Sequence, residues 1–193
     1  NHEEAEKLMG NTFSMLLMTS VVLMAVGYLF YKPILYAFGA SDTTYVYAGA
    51  YIQIYLIGTP FVMISLGLNP FINCQGFGNM GMLTILIGAA LNIVLDPIFI
   101  FGHFGCPAMG VKGAAIATVI GQFVGMSIVL GFLFFKDHIV KISFKGFRLS
   151  ARIIKDIYTV ALPGMIMQAI PSLVNVFLNI ILMGFSETAV SVL

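Results

Sequence analysis

The sequence predicts an all-α protein, a polytopic bundle of about five transmembrane helices. Its composition is the first reason. Hydrophobic residues make up 60% of its 193 residues and charged residues 9%, with a mean hydropathy of +1.01, more apolar surface than a water-soluble domain hides in one core. Apolar runs are the second: residues 13–31, 46–68, 80–101, 113–135 and 158–183 each suit the ~20 residues a helix needs to cross about 30 Å of hydrocarbon. The third is charge placement, because the charged residues fall almost entirely between those runs.

Only a helix or a closed barrel satisfies every backbone polar group in lipid. A barrel strand alternates apolar and polar residues over about ten positions, whereas residues 85–91 and 124–135 are apolar on every face. Helices are therefore expected throughout. The first run follows an acidic start (His2, Glu3, Glu4, Glu6) that has no basic region or cleavage site of a signal peptide. Both ends look cut, so the chain is expected to be a piece of a longer protein.

Short loops set the orientation, since cytoplasmic loops retain Lys and Arg. Six of the nine lie between the fourth and fifth runs, namely Lys136, Lys141, Lys145, Arg148, Arg152 and Lys155. That loop is expected in the cytoplasm, together with the N-terminal tail (Lys7) and the loop at 69–79. Lys32 and Lys112 then lie on the outer side. Within the basic loop, Phe147, Leu149, Ile153, Ile154 and Ile157 recur near helical spacing, which fits a short amphipathic helix on the inner leaflet. A solvated linker fits the same residues, and both readings stay open.

The fourth run carries Gly113, Ala117, Gly121 and Gly125 at four-residue spacing. Such a flat stripe lets a second helix approach closely where lipid gives helices no hydrophobic reason to associate. The two cysteines, Cys74 and Cys106, form no CxxC pair and have no His at zinc-like spacing, so no metal site or disulfide framework is expected. A net charge of +1 gives no reason to expect a nucleic-acid partner. No P-loop and no Ser/His/Asp constellation is present, so neither an enzyme nor an organic cofactor is expected.

One formal charge stands within a hydrophobic run: Asp96, in ALNIVLDPIFIF at 90–101. A carboxylate at a helix centre costs about 2.5 to 3.5 kcal/mol by insertion scales, and such a group is poised to take up a proton or a cation. Asn92 precedes it by one helical turn on the same face. Pro97 has no N–H, so it frees the carbonyl of Ile93 and bends the helix at the acid. Carboxylate, amide and freed carbonyl are oxygen ligands suited to a small hard cation or a proton. A plain interhelical tie, or a position nearer the outer interface, is the alternative for Asp96. The other intramembrane polar residues, among them Gln53, Ser65, Thr84, Thr118, Gln122, Gln168, Asn175 and Asn179, fit interhelical hydrogen bonds or a cavity lining. Pro60, Pro163 and Pro171 predict kinks. Twelve Met and seventeen Phe suit lipid-facing and core surfaces, or adaptable contacts with amphiphilic ligands.

Three segments together, AGAYIQIYLIGTPF (48–61), LNIVLDPIFIF (91–101) and GVKGAAIATVIGQ (110–122), resemble the multidrug and toxic compound extrusion (MATE) family. The resemblance implies the third to seventh of twelve helices in a two-lobe transporter. Residues 1–135 would belong to the N-terminal lobe, 136–157 to a cytoplasmic linker and 158–193 to the first helix of the C-terminal lobe. It also implies a coupling site in which Asn92 and Asp96 bind Na+ or H+, assisted by Thr118, with a further acid on a helix that this sequence lacks. The implied activity is export of amphiphilic or cationic organic compounds across the cell membrane, by a protein that works as a monomer. The segment NCQGFGNMGM (73–82) departs from the family pattern, which commonly has a basic residue at Asn73 or Cys74. A flippase for a lipid-linked precursor, in the same superfamily, and a non-transporting membrane scaffold are the alternatives. The lack of intramembrane Lys or Arg speaks against the flippase.

Overall fold

The computed structural model describes residues 2–105, 107–135 and 151–183, and every regular element among them is helical. They are α1 (His2–Ala37), α2 (Asp42–Cys74), α3 (Gly78–Phe101), α4 (Val111–Phe135) and α5 (Ala151–Met183), with a one-turn 3-10 helix at His103–Gly105. All five long helices have the length and apolar composition to cross a membrane. The five spans expected from the sequence are thus present. Most helix ends reach past the apolar runs, two of them by the most. The first helix begins at His2, because acidic residues near a helix N-terminus favour the helix dipole. The fifth begins at Ala151, so residues 151–157 of the expected linker continue it; ARIIKDI contains no Gly or Pro to stop a helix. The rest of that linker, with Lys136, Lys141, Lys145 and Arg148, lies outside the described residues, as does Cys106.

The chain divides into two compact units. The first combines residues 1–29 with 50–149. Its core lies at the end where α2 turns into α3: Met9 of α1, Ile64, Leu68 and Ile72 of α2, and Val129, Phe132 and Leu133 of α4 form one buried cluster. Phe77, in the turn between α2 and α3, meets Phe132 edge-on with ring centres 5.4 Å apart. Just inside this end, the buried Asn69 donates to the Gly81 carbonyl at 2.9 Å and to the Thr84 hydroxyl at 3.1 Å. Its own amide oxygen accepts from Asn73 at 3.1 Å. These bonds lock α2 to α3, and Gly81 makes room for them, since a Cβ there would overlap the Asn73 amide.

At the opposite end the backbone itself joins α3 to α4. Gly102 closes α3 in the left-handed conformation, φ 76°. The chain then returns so that Met109 and Gly110 donate to the carbonyls of Phe99 and Ile100 at 3.0 and 3.2 Å. The small-residue stripe faces α3 as its spacing predicts: Gly113, Ala117, Gly121 and Gly125 are all buried. A Cβ on Gly113 would overlap the Phe99 carbonyl, and one on Gly121 would lie 3.0 Å from the Gly88 carbonyl. No side chain separates the two helices at these points.

The second unit combines residues 30–49 with 150–193. The end of α1 and the start of α2 meet in a tight turn at 38–41, where Gly39 has φ 93°. Ser41 caps α2 by accepting from the Thr44 backbone N–H at 3.3 Å. Tyr36 donates to the Asp42 carboxylate at 2.9 Å and stacks on Tyr45, ring centres 5.2 Å apart. In α5, Pro163 and Pro171 sit within an unbroken helix, and its most apolar stretch contains no buried residue. Its outward surface is aliphatic; Val160 is 81% exposed and Met167 73%.

Four substitutions, in two pairs, test this packing in the detergent-solubilised protein by thermal denaturation. Gly113→Ala is expected to destabilise by about 1 to 3 kcal/mol through backbone overlap, whereas Gly131→Ala, on the same helix with nothing within 4 Å, should be neutral or slightly stabilising. Asn69→Ala should cost about 1 to 2 kcal/mol, and clearly more than loss of the exposed Asn73 amide in Asn73→Ala.

Candidate functional site

Helical spacing fixes the first two members of the site. Asn92 and Asp96 lie one turn apart on α3, both half-buried, and the Asn92 amide donates to Asp96 Oδ1 at 3.4 Å. That distance is at the long limit for such a bond. The same amide nitrogen donates across to Thr118 Oγ1 on α4 at 3.2 Å, and Thr118 in turn donates to the Ala114 carbonyl at 2.9 Å. The close glycine-mediated approach of α3 and α4 makes the cross-helix bond possible. All three predicted polar residues are therefore brought together, in the first unit.

Both amide hydrogens of Asn92 are engaged, which leaves its carbonyl oxygen, the second Asp96 oxygen and a lone pair on Thr118 for a ligand. Among the described residues no three His, Cys, Asp or Glu side chains gather. A cation here would rely on one carboxylate and neutral oxygens, the donor set of a hard ion or a proton rather than of zinc. Pro97 follows directly; α3 continues through it to Phe101, and by its chemistry it leaves the Ile93 carbonyl without an N–H partner. His103 Nδ1 lies 3.2 Å from the Pro97 carbonyl. Asp96 precedes the last residue of α3 by five positions, about 8 Å along the axis, so it stands in the C-terminal third of the helix rather than at its middle.

A groove of about 290 Å³ runs from this cluster between α2, α3 and α4. Asn92 and Thr118 line one part of it, and Ser65, Thr84 and Gln122 line the rest among Val62, Leu66, Ile85 and glycines. Gln122, like Ser65 and Thr84, is a polar residue that the sequence leaves open between an interhelical bond and a cavity lining. Its amide oxygen is buried with no hydrogen-bond donor, against Gly58 of α2, where any Cβ would overlap it. Its signal was its place one turn beyond Thr118 on the same face of α4. Gln168, Asn175 and Asn179 are on α5, in the other unit, and Gln53 is exposed on α2.

Comparison with known proteins follows the same lines as the three segments. The MatE family model matches residues 1–98. The multidrug export protein MepA of Staphylococcus saprophyticus is 28% identical over 160 residues, covering 83% of this chain and 35% of that protein. An outward-facing structure of a multidrug resistance MATE family transporter of the MOP superfamily is similar with a TM-score of 0.84 at 30% identity, over 99% of this chain and 42% of that one. An inward-facing structure so described gives a TM-score of 0.82 at 28% identity, over 97% and 48%. The chain thus spans less than half the length of each of these relatives.

Proposed function

The chain belongs to the MatE family, and on that premise we propose that it forms part of a secondary antiporter that exports amphiphilic or cationic organic compounds in exchange for H+ or Na+. The observation that carries the reading is the Asn92 amide, which joins the Asp96 carboxylate on α3 to the Thr118 hydroxyl on α4. It sets one titratable group and several neutral oxygens around a point where two transmembrane helices meet.

In this reading Asp96 takes up the coupling ion. A proton would neutralise the carboxylate; a sodium ion would share it with the carbonyl of Asn92 and the hydroxyl of Thr118. Either event changes what Asn92 bonds to, and so changes the α3–α4 contact beside Pro97. The chain is about equally similar to an outward-facing and an inward-facing transporter, with TM-scores of 0.84 and 0.82. That supports a segment that keeps its internal arrangement while access alternates. The name of the MepA relative supports drug-like substrates. The basic loop at 136–157 would lie in the cytoplasm by the positive-inside rule, and the surrounding partner is the lipid bilayer of the cell membrane. A monomer of the full-length transporter suffices for this cycle.

Two measurements on the full-length transporter test the reading. Asp96→Asn should abolish efflux of a fluorescent cationic dye driven by an imposed proton or sodium gradient, at unchanged membrane abundance; unaltered efflux would remove Asp96 from the coupling step. Thr118→Val takes away the acceptor of Asn92 and should weaken the apparent affinity for the coupling ion about tenfold, or roughly 1.4 kcal/mol. Thr118→Ser, which keeps the hydroxyl, should stay near the parent value in the same titration of efflux rate against ion concentration.

A further inference from the structure

We propose that the groove between α2, α3 and α4 binds the uncharged end of an amphiphilic compound through a carbonyl or similar hydrogen-bond acceptor, held by the amide of Gln122 and the hydroxyl of Ser65. The inference rests on the export reading for the role of that compound as cargo, and it names the part of the cargo that the first unit recognises.

The lining excludes other kinds of ligand first. Among the described residues, no charged side chain and no aromatic ring lines the groove. A cationic centre would find neither a carboxylate nor a π face there, and an anion would find no Lys or Arg. The walls are instead aliphatic, contributed by Val62 and Leu66 of α2 and by Ile85 and Ala89 of α3. The volume of about 290 Å³ is at the lower end for small-molecule sites. It suits part of a drug-sized molecule rather than the whole.

Two polar side chains in these walls have unused hydrogens. A Ser or Thr within a helix commonly donates to the carbonyl one turn back, as Thr118 and Ser127 do. Ser65 makes no such bond, and no hydrogen bond with any described residue. Its Oγ lies against Gly125 of α4, 3.5 Å from where a Cβ there would stand. Gln122 likewise bonds to no described residue. Its oxygen is buried against Gly58, which has no Cβ to displace it, so the amide nitrogen, with two hydrogens, is the polar end left for the groove. Positions 122 and 125 are about 5 Å apart along α4, close enough for both donors to reach one carbonyl oxygen. A polar hydrogen without an acceptor away from water is costly, and a ligand carbonyl removes that cost. Asn92 and Thr118 differ, because their hydrogens already go to Asp96, Thr118 and Ala114. The groove thus offers acceptors beside Asp96, for the coupling ion, and donors one turn along α4, for the cargo.

Benzophenone serves as the probe, because it is uncharged, carries one carbonyl between two rings and inserts into nearby C–H bonds on irradiation. In the full-length transporter in lipid vesicles it should label Val62, Leu66 or Ile85, mapped by mass spectrometry, several-fold more than Val94, an exposed residue of α3 outside the groove. Fluorenone should block that labelling at about one tenth of the concentration needed with fluorene, which has the same shape without the carbonyl. Gln122→Leu, of similar volume, should erase the difference between the two competitors. Ser65→Ala should reduce it, so either variant serves if the other does not accumulate. Groove labelling no stronger than at Val94 would mean that another part of the transporter fills the groove, and would overturn the proposal. So would equal competition by fluorene, the mark of an apolar slot that recognises no acceptor. Failure of the export reading looks different: dye efflux would then survive Asp96→Asn while the labelling and its dependence on Gln122 stayed the same.

Discussion

The rest of the structure depends on the bare backbone contact between α3 and α4. In lipid two helices gain nothing by hiding apolar side chains from water, so they associate through close packing and polar bonds. Gly113 against Phe99 and Gly121 against Gly88 allow that packing over much of the helix length. The candidate site in the first unit follows from the spacing it sets. At that distance a short Asn side chain on one helix reaches a Thr hydroxyl on the other. The same lack of side chains leaves the groove open where α2 lies alongside. One physical device, the removal of Cβ atoms, both tightens the pair and makes room beside it.

The two ends of this helix pair are held differently. Toward the turn from α2 to α3, buried aliphatic and aromatic side chains cluster and the Asn69 amide adds a directional lock. Toward Asp96, backbone N–H groups of Met109 and Gly110 satisfy carbonyls at the end of α3, where Pro97 has already removed one donor. The acid therefore sits where Pro97 has taken one hydrogen bond from the helix and the following loop supplies others. Asp96 meets α4 only through Asn92, whose amide it shares with Thr118.

Much of this was legible in the sequence, for reasons that lie in periodicity. Asn92 and Asp96 share a face because helical geometry leaves no choice once residues 80–101 are a helix, and the four-residue spacing of Gly113, Ala117, Gly121 and Gly125 names the packed face of α4 in the same way. Thr118 needed more than periodicity, since only the pairing of helices puts it beside Asn92; the short loop between residues 101 and 113 suggests that pairing, and the family resemblance implies it. Hydrogen-bond satisfaction was not legible. Gln122 and Thr84 look alike as intramembrane polar residues, yet Thr84 is bonded within a buried network while the Gln122 oxygen has no donor. The start of α5 was not legible either, because the end of an apolar run marks the edge of the hydrocarbon and not the end of the helix: residues 151–157, for which a short helix or a linker both fitted, are helical and continuous with α5.

The turn at 38–41, capped by Ser41 and bent at Gly39, bears on how the chain reaches the membrane at all. So few residues between α1 and α2 leave neither helix free to enter on its own and wait for the other. They favour entry as one antiparallel hairpin, and the Tyr36–Asp42 bond at its tip satisfies part of the polarity there. A longer, unstructured tip would uncouple the two insertions and let α1 settle in either direction. The compactness of these four residues thus constrains how α1 and α2 can lie, whatever follows them in the chain.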